Sequence, residues 1–357
     1  MQAINAIDES KLNSFINQIL GDLGGAYSAA LVRLGDRLGL YRALRDGGPA
    51  TPRELAQRTG CAERYLQEWL AHQAASNYVA YDASSGRFRL PPEQAMVFVD
   101  EDSPVYMIGG FENAATTMEN EPKVAEGFRD GGGVAWGDQA GCMFCAVAKF
   151  FRPGYVHNLV QSWLPALDGV VEKLEKGATV ADVGCGHGHS TMIMAAAFPR
   201  STFVGFDFHP DSISAANAHR DEQGFDAGRV RFATATAKDF NGGGYDLVTC
   251  FDALHDMGDP AGVAAHVHSQ LRPDGTWMIV EPIAADSLEE NLNPVSRLFY
   301  AASTMICVPT ALAQSSTTAL GAQAGQRRLT EIITSGGFSR VSRAAETPFN
   351  MVLEARP

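Results

Sequence analysis

Apolar positions in the first hundred residues recur at helical spacing. Leu12, Phe15, Ile16, Ile19 and Leu20 fall at i, i+3, i+4, i+7 and i+8, the stripe of an amphipathic helix. A second helix is predicted over about 27–44, apolar on much of its circumference, which implies burial against another element or another subunit. Thr51-Pro52-Arg53-Glu54 opens the next one. Thr51 can cap it, Pro52 suits the first helical position, and Glu54 can close a capping box. That helix should end near Gly60, and a longer one should cover about 62–75. Residues 78–81 and 87–90 then alternate around Ser84-Ser85-Gly86, a hairpin pattern. Two helices joined by a tight turn and followed by a hairpin make a winged helix-turn-helix.

The pattern changes further on. Residues 101–175 are rich in glycine and aromatics, and from 176 strand runs alternate with helical ones. Strands are expected near 178–183, 202–207, 229–235, 245–251 and 275–281, and 337–345 with 349–355 reads as an antiparallel pair. The expected fold is therefore a layered α/β domain preceded by a helical one. Its expected divisions are 1–100, 101–175 and 176–357, with a helical insertion over 282–330. Within that insertion 291–314 looks like a lid carrying Arg297, Tyr300 and Met305, and its apolar character favours an apolar or aromatic ligand. Ahead of the α/β domain, Phe150-Phe151-Arg152-Pro153-Gly154-Tyr155 offers Arg152 and Tyr155 as pocket residues, because pockets favour domain junctions.

Composition narrows the classes. The 357 residues carry a formal charge of −13, a poor match for phosphate backbones or anionic lipid. In the winged element Arg53, Arg58, Arg64, Arg87 and Arg89 stand against Glu54, Glu63, Glu68 and Asp82, so it is nearly neutral. A groove-reading helix needs a basic footprint. Tyr65, Leu66, Trp69 and Leu70 on its second helix suit packing, and dimerisation or substrate capping is the expected role. The first nineteen residues mix Asp8, Glu9 and Lys11 into apolar positions and do not read as a secretory segment. No apolar run is expected to span a membrane. Six scattered cysteines fit a reducing compartment, so the protein is expected in the cytoplasm.

The chemistry concentrates after the first strand of the α/β part. The strand delivers the chain into Asp182-Val183-Gly184-Cys185-Gly186-His187-Gly188-His189-Ser190, a helix follows, and the next strand ends in Asp207. Glycines at such a turn let the backbone approach a ligand. An acid at the end of the second strand can accept both hydroxyls of a ribose. A dinucleotide loop has the spacing G-x-G-x-x-G, but here its third position is His189, and the spacing is G-x-G-x-G. S-adenosylmethionine has no pyrophosphate, and Asp182 can serve its ammonium directly or through water.

With these residues the chain resembles the class I S-adenosylmethionine-dependent methyltransferases over about 176–357, in their Rossmann-like seven-stranded sheet. The winged helix adds a likeness to dimeric small-molecule O-methyltransferases and to an uncharacterised bacterial group. The resemblance implies that Gly184, Gly186 and Gly188 cradle the cofactor, Asp207 holds its ribose and Phe208 packs on its adenine. Where the family offers an aspartate to the adenine amino group this chain has Thr236, which leaves that contact to Thr236, the Ala237 backbone or Asp239. Phe251 and Asp252 should approach the methionine portion. His255-Asp256-Met257 resembles the family's His-Asp-Trp, whose histidine is the base that an acceptor hydroxyl requires. Glu281, at the end of the fifth strand, is the residue expected to orient it. His255, Asp256 and Glu281 are thus the catalytic candidates, with Arg152, Tyr155, Arg297 and Tyr300 for the acceptor and S-adenosylhomocysteine as product. The expected activity is methyl transfer to a small molecule by a homodimer, the alternatives being a regulator that senses S-adenosylmethionine and reads DNA, and a relative that holds the cofactor without transferring methyl.

Other patterns carry less. Cys142 and Cys145 form a single CxxC without a second pair, and no metal is expected. His266 and His268 are two apart and do not share a helical face. His187 can face either the methionine end of a cofactor or solvent.

Overall fold

Asp8 starts the first helix, its carboxylate accepting from the backbone N–H groups of Ser10 and Lys11 at 3.0 and 3.1 Å. The computed structural model describes residues 7–141, 143–314 and 318–357, and the chain divides into two compact units, Met1–Ala115 and Thr116–Pro357. In the first, one helix runs without interruption over Glu9–Arg37 and a separate one covers Leu40–Gly47. This corrects the expected second helix over 27–44. Gly39 takes the left-handed conformation (φ 67°), which ends the first helix and starts the next at an angle.

Thr51 and Glu54 form the expected capping box of helix Pro52–Thr59, and helix Glu63–Ala75 follows. Strands β1 (Ala80–Asp82) and β2 (Arg87–Arg89) pair antiparallel as the wing. Leu66, Trp69, Leu70 and Gln73 of the second helix are buried, with Tyr41 Oη donating to Gln73 Oε1 at 2.6 Å. A side chain at Gly35 would lie 2.5 Å from the Trp69 ring, so this glycine permits the close helix crossing. Four of the five arginines of the winged element are tied locally: Arg53 to Glu63, Arg64 to Glu68, Arg87 to Glu54, and Arg58 to the carbonyls of Gly48 and Pro49. By contrast Leu12, Phe15, Ile16, Ile19, Leu20, Leu23 and Tyr27 of the first helix are exposed.

The second unit is built on a seven-stranded sheet: β3 (Thr179–Val183), β4 (Thr202–Asp207), β5 (Val230–Thr234), β6 (Tyr245–Phe251), β7 (Leu271–Pro282), β8 (Arg340–Glu346) and β9 (Asn350–Arg356), in the order β5-β4-β3-β6-β7-β9-β8. The first five are mutually parallel, while β9 runs antiparallel between β7 and β8. The apolar runs of β3, β4, β6, β7 and β9 are buried on both faces, with one apolar cluster centred on Trp163, Phe203 and Met278 and another on Phe240, Trp277 and Phe338. The order reverses between β4–β3 and β6, which opens a crevice at the carboxyl ends of β3 and β6, where sheets of this type bind ligands.

The lid forms as helix Pro294–Ala302, a π turn at Ser303–Cys307 and helix Val308–Leu312. Together they are 19 residues with a mean hydropathy of 1.3, long and apolar enough to cross a membrane by composition alone. Ser296, Arg297, Ser303 and Thr304 interrupt it, so it is not the uninterrupted apolar run that a span was expected to need. Here Phe299, Ile306 and Cys307 pack inward. Gly133 rests directly on the lid's end: a Cβ there would lie 2.2 Å from the Ala313 nitrogen and 2.3 Å from the Pro309 oxygen. Val134 N–H donates to that same Pro309 carbonyl at 3.0 Å, and Gln139 reaches Thr310 Oγ1 at 3.4 Å. Cys142 of the CxxC lies outside the described residues.

Candidate active site

A cavity of about 390 Å³ opens over the carboxyl ends of β3, β4 and β6. The glycine loop forms its floor. Gly184, Gly186 and Gly188 all take left-handed φ values, 75°, 52° and 78°. A side chain at Gly186 would meet only open space, so its backbone is bare to the cavity, whereas one at Gly184 would strike Ala253 at 2.9 Å. Gly188 is not on the cavity wall. A Cβ there would lie 2.5 Å from the Phe232 ring, so this third glycine permits the packing of the following helix on β5.

Asp207 ends β4 on the wall, its Oδ2 accepting from Gly186 N–H and its Oδ1 from His209 N–H, both at 2.9 Å. Burial pushes its carboxyl up, and those two N–H groups pull partly against it. Phe208 beside it is half exposed and on the wall, as are Thr236 and Ala237 after β5. Asp239 is turned instead to its own loop, its Oδ1 accepting from Thr236 N–H at 2.6 Å.

Asp182 departs from expectation. Its carboxylate is 1% exposed and accepts from the hydroxyls of Ser190, Thr191 and Thr249 at 2.7, 2.6 and 2.9 Å. It is a strut tying β3 to the next helix and to β6, and it does not reach the cavity to meet an ammonium.

Phe251 and Asp252 end β6 on the wall. Asp252 holds a left-handed backbone (φ 48°), uncommon for a residue with a side chain and typical of sites that the surroundings enforce. Tyr155 Oη donates to its Oδ2 at 3.0 Å and Asn350 Nδ2 to its Oδ1 at 2.7 Å. Burial, with Glu281 nearby, raises its carboxyl to about 8. Tyr155 is on the wall as expected, on helix Met143–Asn158 beside Phe144, Val147 and Phe151. Arg152, Arg297 and Tyr300 are not among the wall residues, and Arg297 and Tyr300 lie on the outer side of the lid. A lid helix presents only one face inward, and a sequence does not say which. His187 lines the cavity, half-buried, and so is not the solvent-exposed residue of the plainer reading.

Behind this wall sits a histidine–carboxylate pair. His255 is on the short turn Leu254–Asp256, 3% exposed, its Nδ1 2.5 Å from Glu281 Oε2. Glu281 Oε1 accepts from Leu254 N–H at 3.0 Å. On the other side Nε2 lies 3.2 Å from Asp256 Oδ1, and Asp256 reaches the cavity wall while His255 and Glu281 do not. Burial alone would lower the imidazole's pKa, but Glu281 and Asp256 together outweigh it and hold it well above the ordinary histidine value. Burial pushes the Asp256 carboxyl up. Gln314 latches the same turn to the lid, accepting from Gly258 N–H at 3.2 Å and donating to the Asp256 carbonyl at 2.8 Å. The arrangement can take a proton from the cavity and store it on a ring whose second nitrogen is fixed.

Comparison with known proteins follows the same division. Residues 174–337 match a methyltransferase domain family, and residues 26–99 match the Rv2258c-like winged HTH domain. The ubiquinone biosynthesis O-methyltransferase of Methylococcus capsulatus is 32% identical over 100 residues, 28% of this chain and 41% of that protein. The uncharacterized methyltransferase YcgJ of Bacillus subtilis is 26% identical over 121 residues, 33% of this chain and 47% of that one. The chain thus spans about half the length of the curated relatives it matches. Among solved structures, human N-acetylserotonin methyltransferase in complex with SAM superposes with a TM-score of 0.70 at 17% identity, covering 100% of this chain and 99% of that one. The mitomycin 7-O-methyltransferase MmcR gives 0.68 at 18% identity, covering 98% and 100%. These likenesses show the same fold.

Proposed function

From a chain whose residues 174–337 form a methyltransferase domain and whose residues 26–99 form a winged helix-turn-helix, we propose an enzyme that moves a methyl group from S-adenosylmethionine to a small-molecule acceptor. The observation that carries this reading is one cavity bordered by a bare glycine loop, a strand-end acid and the turn that holds a carboxylate-bound histidine. Bound there, S-adenosylmethionine would supply a methyl group on a positively charged sulfur that leaves readily.

The residues divide the work as follows. Gly184 and Gly186 admit the cofactor's amino-acid end to the loop backbone. Asp207 keeps a lone pair on each oxygen for the ribose hydroxyls, besides those taken by Gly186 and His209. Phe208 offers its ring to the adenine face, and Thr236 with the Ala237 backbone offers polar atoms to its edge. Phe251 and Asp252 flank the methionine portion, with Asp252 fixed by Tyr155 and Asn350. Holding donor and acceptor in line accounts for most of the rate. For a hydroxyl acceptor the proton goes to the wall carboxylate Asp256 and on to His255 Nε2, while Glu281 keeps the ring in register. This chain has Met257 where the family places a tryptophan, which leaves that face of the pocket to Met257 and the aromatic rings of helix Met143–Asn158.

A homodimer belongs to the same reading, supported by the exposed apolar stripe of helix Glu9–Arg37. So does a cytoplasmic setting, supported by the scattering of six cysteines along 357 residues, which is not a disulfide framework. The paired cations of the wing argue against DNA as the partner.

The test uses methyl-labelled S-adenosylmethionine with purified protein and three acceptor pools: a small-molecule extract, duplex DNA and total protein. Label in the small-molecule pool, reduced by His255→Ala, is the expected result. Label in DNA or protein, or S-adenosylhomocysteine bound with no label anywhere, overturns it.

A further inference from the structure

Cys307 has no part in the proton path above, yet the lid's π turn brings its buried thiol to the far side of that path. Short π turns inside helices are frequent at functional sites. One ligand atom from each of His255, Asp256 and Cys307 lies within 4.8 Å of the other two, and Nε2 and Oδ1 are already 3.2 Å apart. Asp256 Oδ1 is shut off from solvent, and its carboxylate faces His255 Nε2 and the Cys307 thiol.

An imidazole nitrogen, a thiolate sulfur and a carboxylate oxygen are the donors that zinc takes, at about 2.0–2.3 Å from the ion. Around a tetrahedral centre such donors stand about 3.5 Å apart, so closure asks for side-chain shifts of roughly an ångström. The second side of the histidine is also arranged for a metal: Nδ1 faces Glu281 at 2.5 Å, so a ring that donates there keeps its Nε2 lone pair toward Asp256 and Cys307. Charge balances as well. On binding, the Cys307 thiol and the protonated Nε2 of His255 each release a proton to solvent, and the thiolate with the Asp256 carboxylate neutralises a divalent ion. With only one oxygen donor in three, the set disfavours magnesium and calcium. Asp256 reaches the cavity wall, which leaves a fourth position open to water or to an acceptor.

We infer that His255, Asp256 and Cys307 form a binding site for a borderline-soft divalent cation of the zinc class, and that its occupancy switches off proton removal by taking the Nε2 lone pair. The second half rests on the methyl-transfer reading, while the first stands without it.

The experiment takes the full chain, freed of metal by a chelator, and titrates it with Co2+ or Zn2+ alone. One ion per chain, with a thiolate-to-cobalt charge-transfer band, is expected. Cys307→Ser should lose the band and weaken Zn2+ binding at least tenfold while binding S-adenosylhomocysteine as the parent does. If that variant fails the S-adenosylhomocysteine check, Cys307→Ala provides the same readout. No bound ion, or a band that persists in the variant, overturns the site. In the labelled assay Zn2+ should stop transfer, a chelator should restore it, and Cys307→Ser should need at least tenfold more Zn2+. Transfer unaffected at saturating Zn2+ overturns the switch. A bound ion without any transfer in its absence sinks the enzymatic reading and leaves the site standing.

Discussion

Glu281 holds the His255 turn at two points, through the ring nitrogen Nδ1 at 2.5 Å and through the Leu254 N–H at 3.0 Å. One carboxylate therefore fixes both the backbone that carries the imidazole and the edge the imidazole presents. Glu281→Gln keeps an acceptor for Leu254 but offers an amide N–H to the ring, which favours the tautomer with its proton on Nε2. Methyl transfer should fall by about a hundredfold or more, the scale of general-base catalysis. S-adenosylhomocysteine affinity, measured by calorimetry, should stay within twofold.

The charge on His255 predicts a pH dependence. Its pKa is raised by Glu281 and Asp256, so the neutral form that accepts a proton is populated only well above the ordinary histidine value. Transfer rate should climb with alkalinity through that raised value, and Glu281→Gln should move the climb to lower pH. The same group stabilises the fold fully below the unfolded histidine value and loses that contribution as pH rises through the folded one. NMR titration of the His255 ring gives the midpoint directly; a midpoint at or below the ordinary value would refute the coupling.

Asp252 works in the opposite sense. Its folded pKa of about 8 exceeds its unfolded value of 3.8, so the folded state binds the extra proton between them and stability declines as pH rises across that window. One group contributes a slope of at most about 1.4 kcal/mol per pH unit. Asp252→Asn, which tolerates the left-handed backbone, should flatten denaturant-derived stability between pH 4 and 8. An unchanged slope would assign it to other groups.

Much of this was legible in the chain, and the limits have a physical pattern. The glycine loop, Asp207, His255 and Glu281 each sit at the end of a strand, where a local pattern fixes position. The clamp on Asp252 comes from Tyr155 and Asn350, 97 and 98 residues away, and no spacing announces it. Cys307 reaches His255 only through a π turn, which shifts the helical register that a periodicity reading assumes. Asp182 misleads for the converse reason. A strand-end acid beside a glycine loop looks like a ligand group, but Ser190 and Thr191 at the start of the next helix bond one of its oxygens and Thr249 of β6 bonds the other.

Asp207→Ala should weaken S-adenosylhomocysteine binding by about tenfold to a hundredfold, since a hydrogen bond to a charged group contributes about 1.5–3 kcal/mol. Part of that loss would come from the loop, because Gly186 N–H loses its acceptor too. Equal affinity by calorimetry would remove Asp207 from the ribose contact.

The exposed stripe on helix Glu9–Arg37 predicts an assembly phenotype. Replacing Phe15 and Ile19 with Glu should convert a dimer to a monomer by light scattering, since both lie on that uncovered face. A parent chain that is already monomeric at micromolar concentration would refute the dimer.

The contact of Gly133 with the end of the lid has a mechanical consequence. With no room for even a methyl group between them, the lid's terminal helix cannot press further inward without displacing residues 131–140, and moving outward alone breaks the Val134–Pro309 bond. Motion of residues 131–140 and 308–313 is coupled through that contact. Trp136 from the first and Thr310 from the second both face the cavity, so any ligand entering there pushes on two distant stretches of chain at once. Residues far from the pocket that stiffen either stretch would then govern how fast ligands come and go.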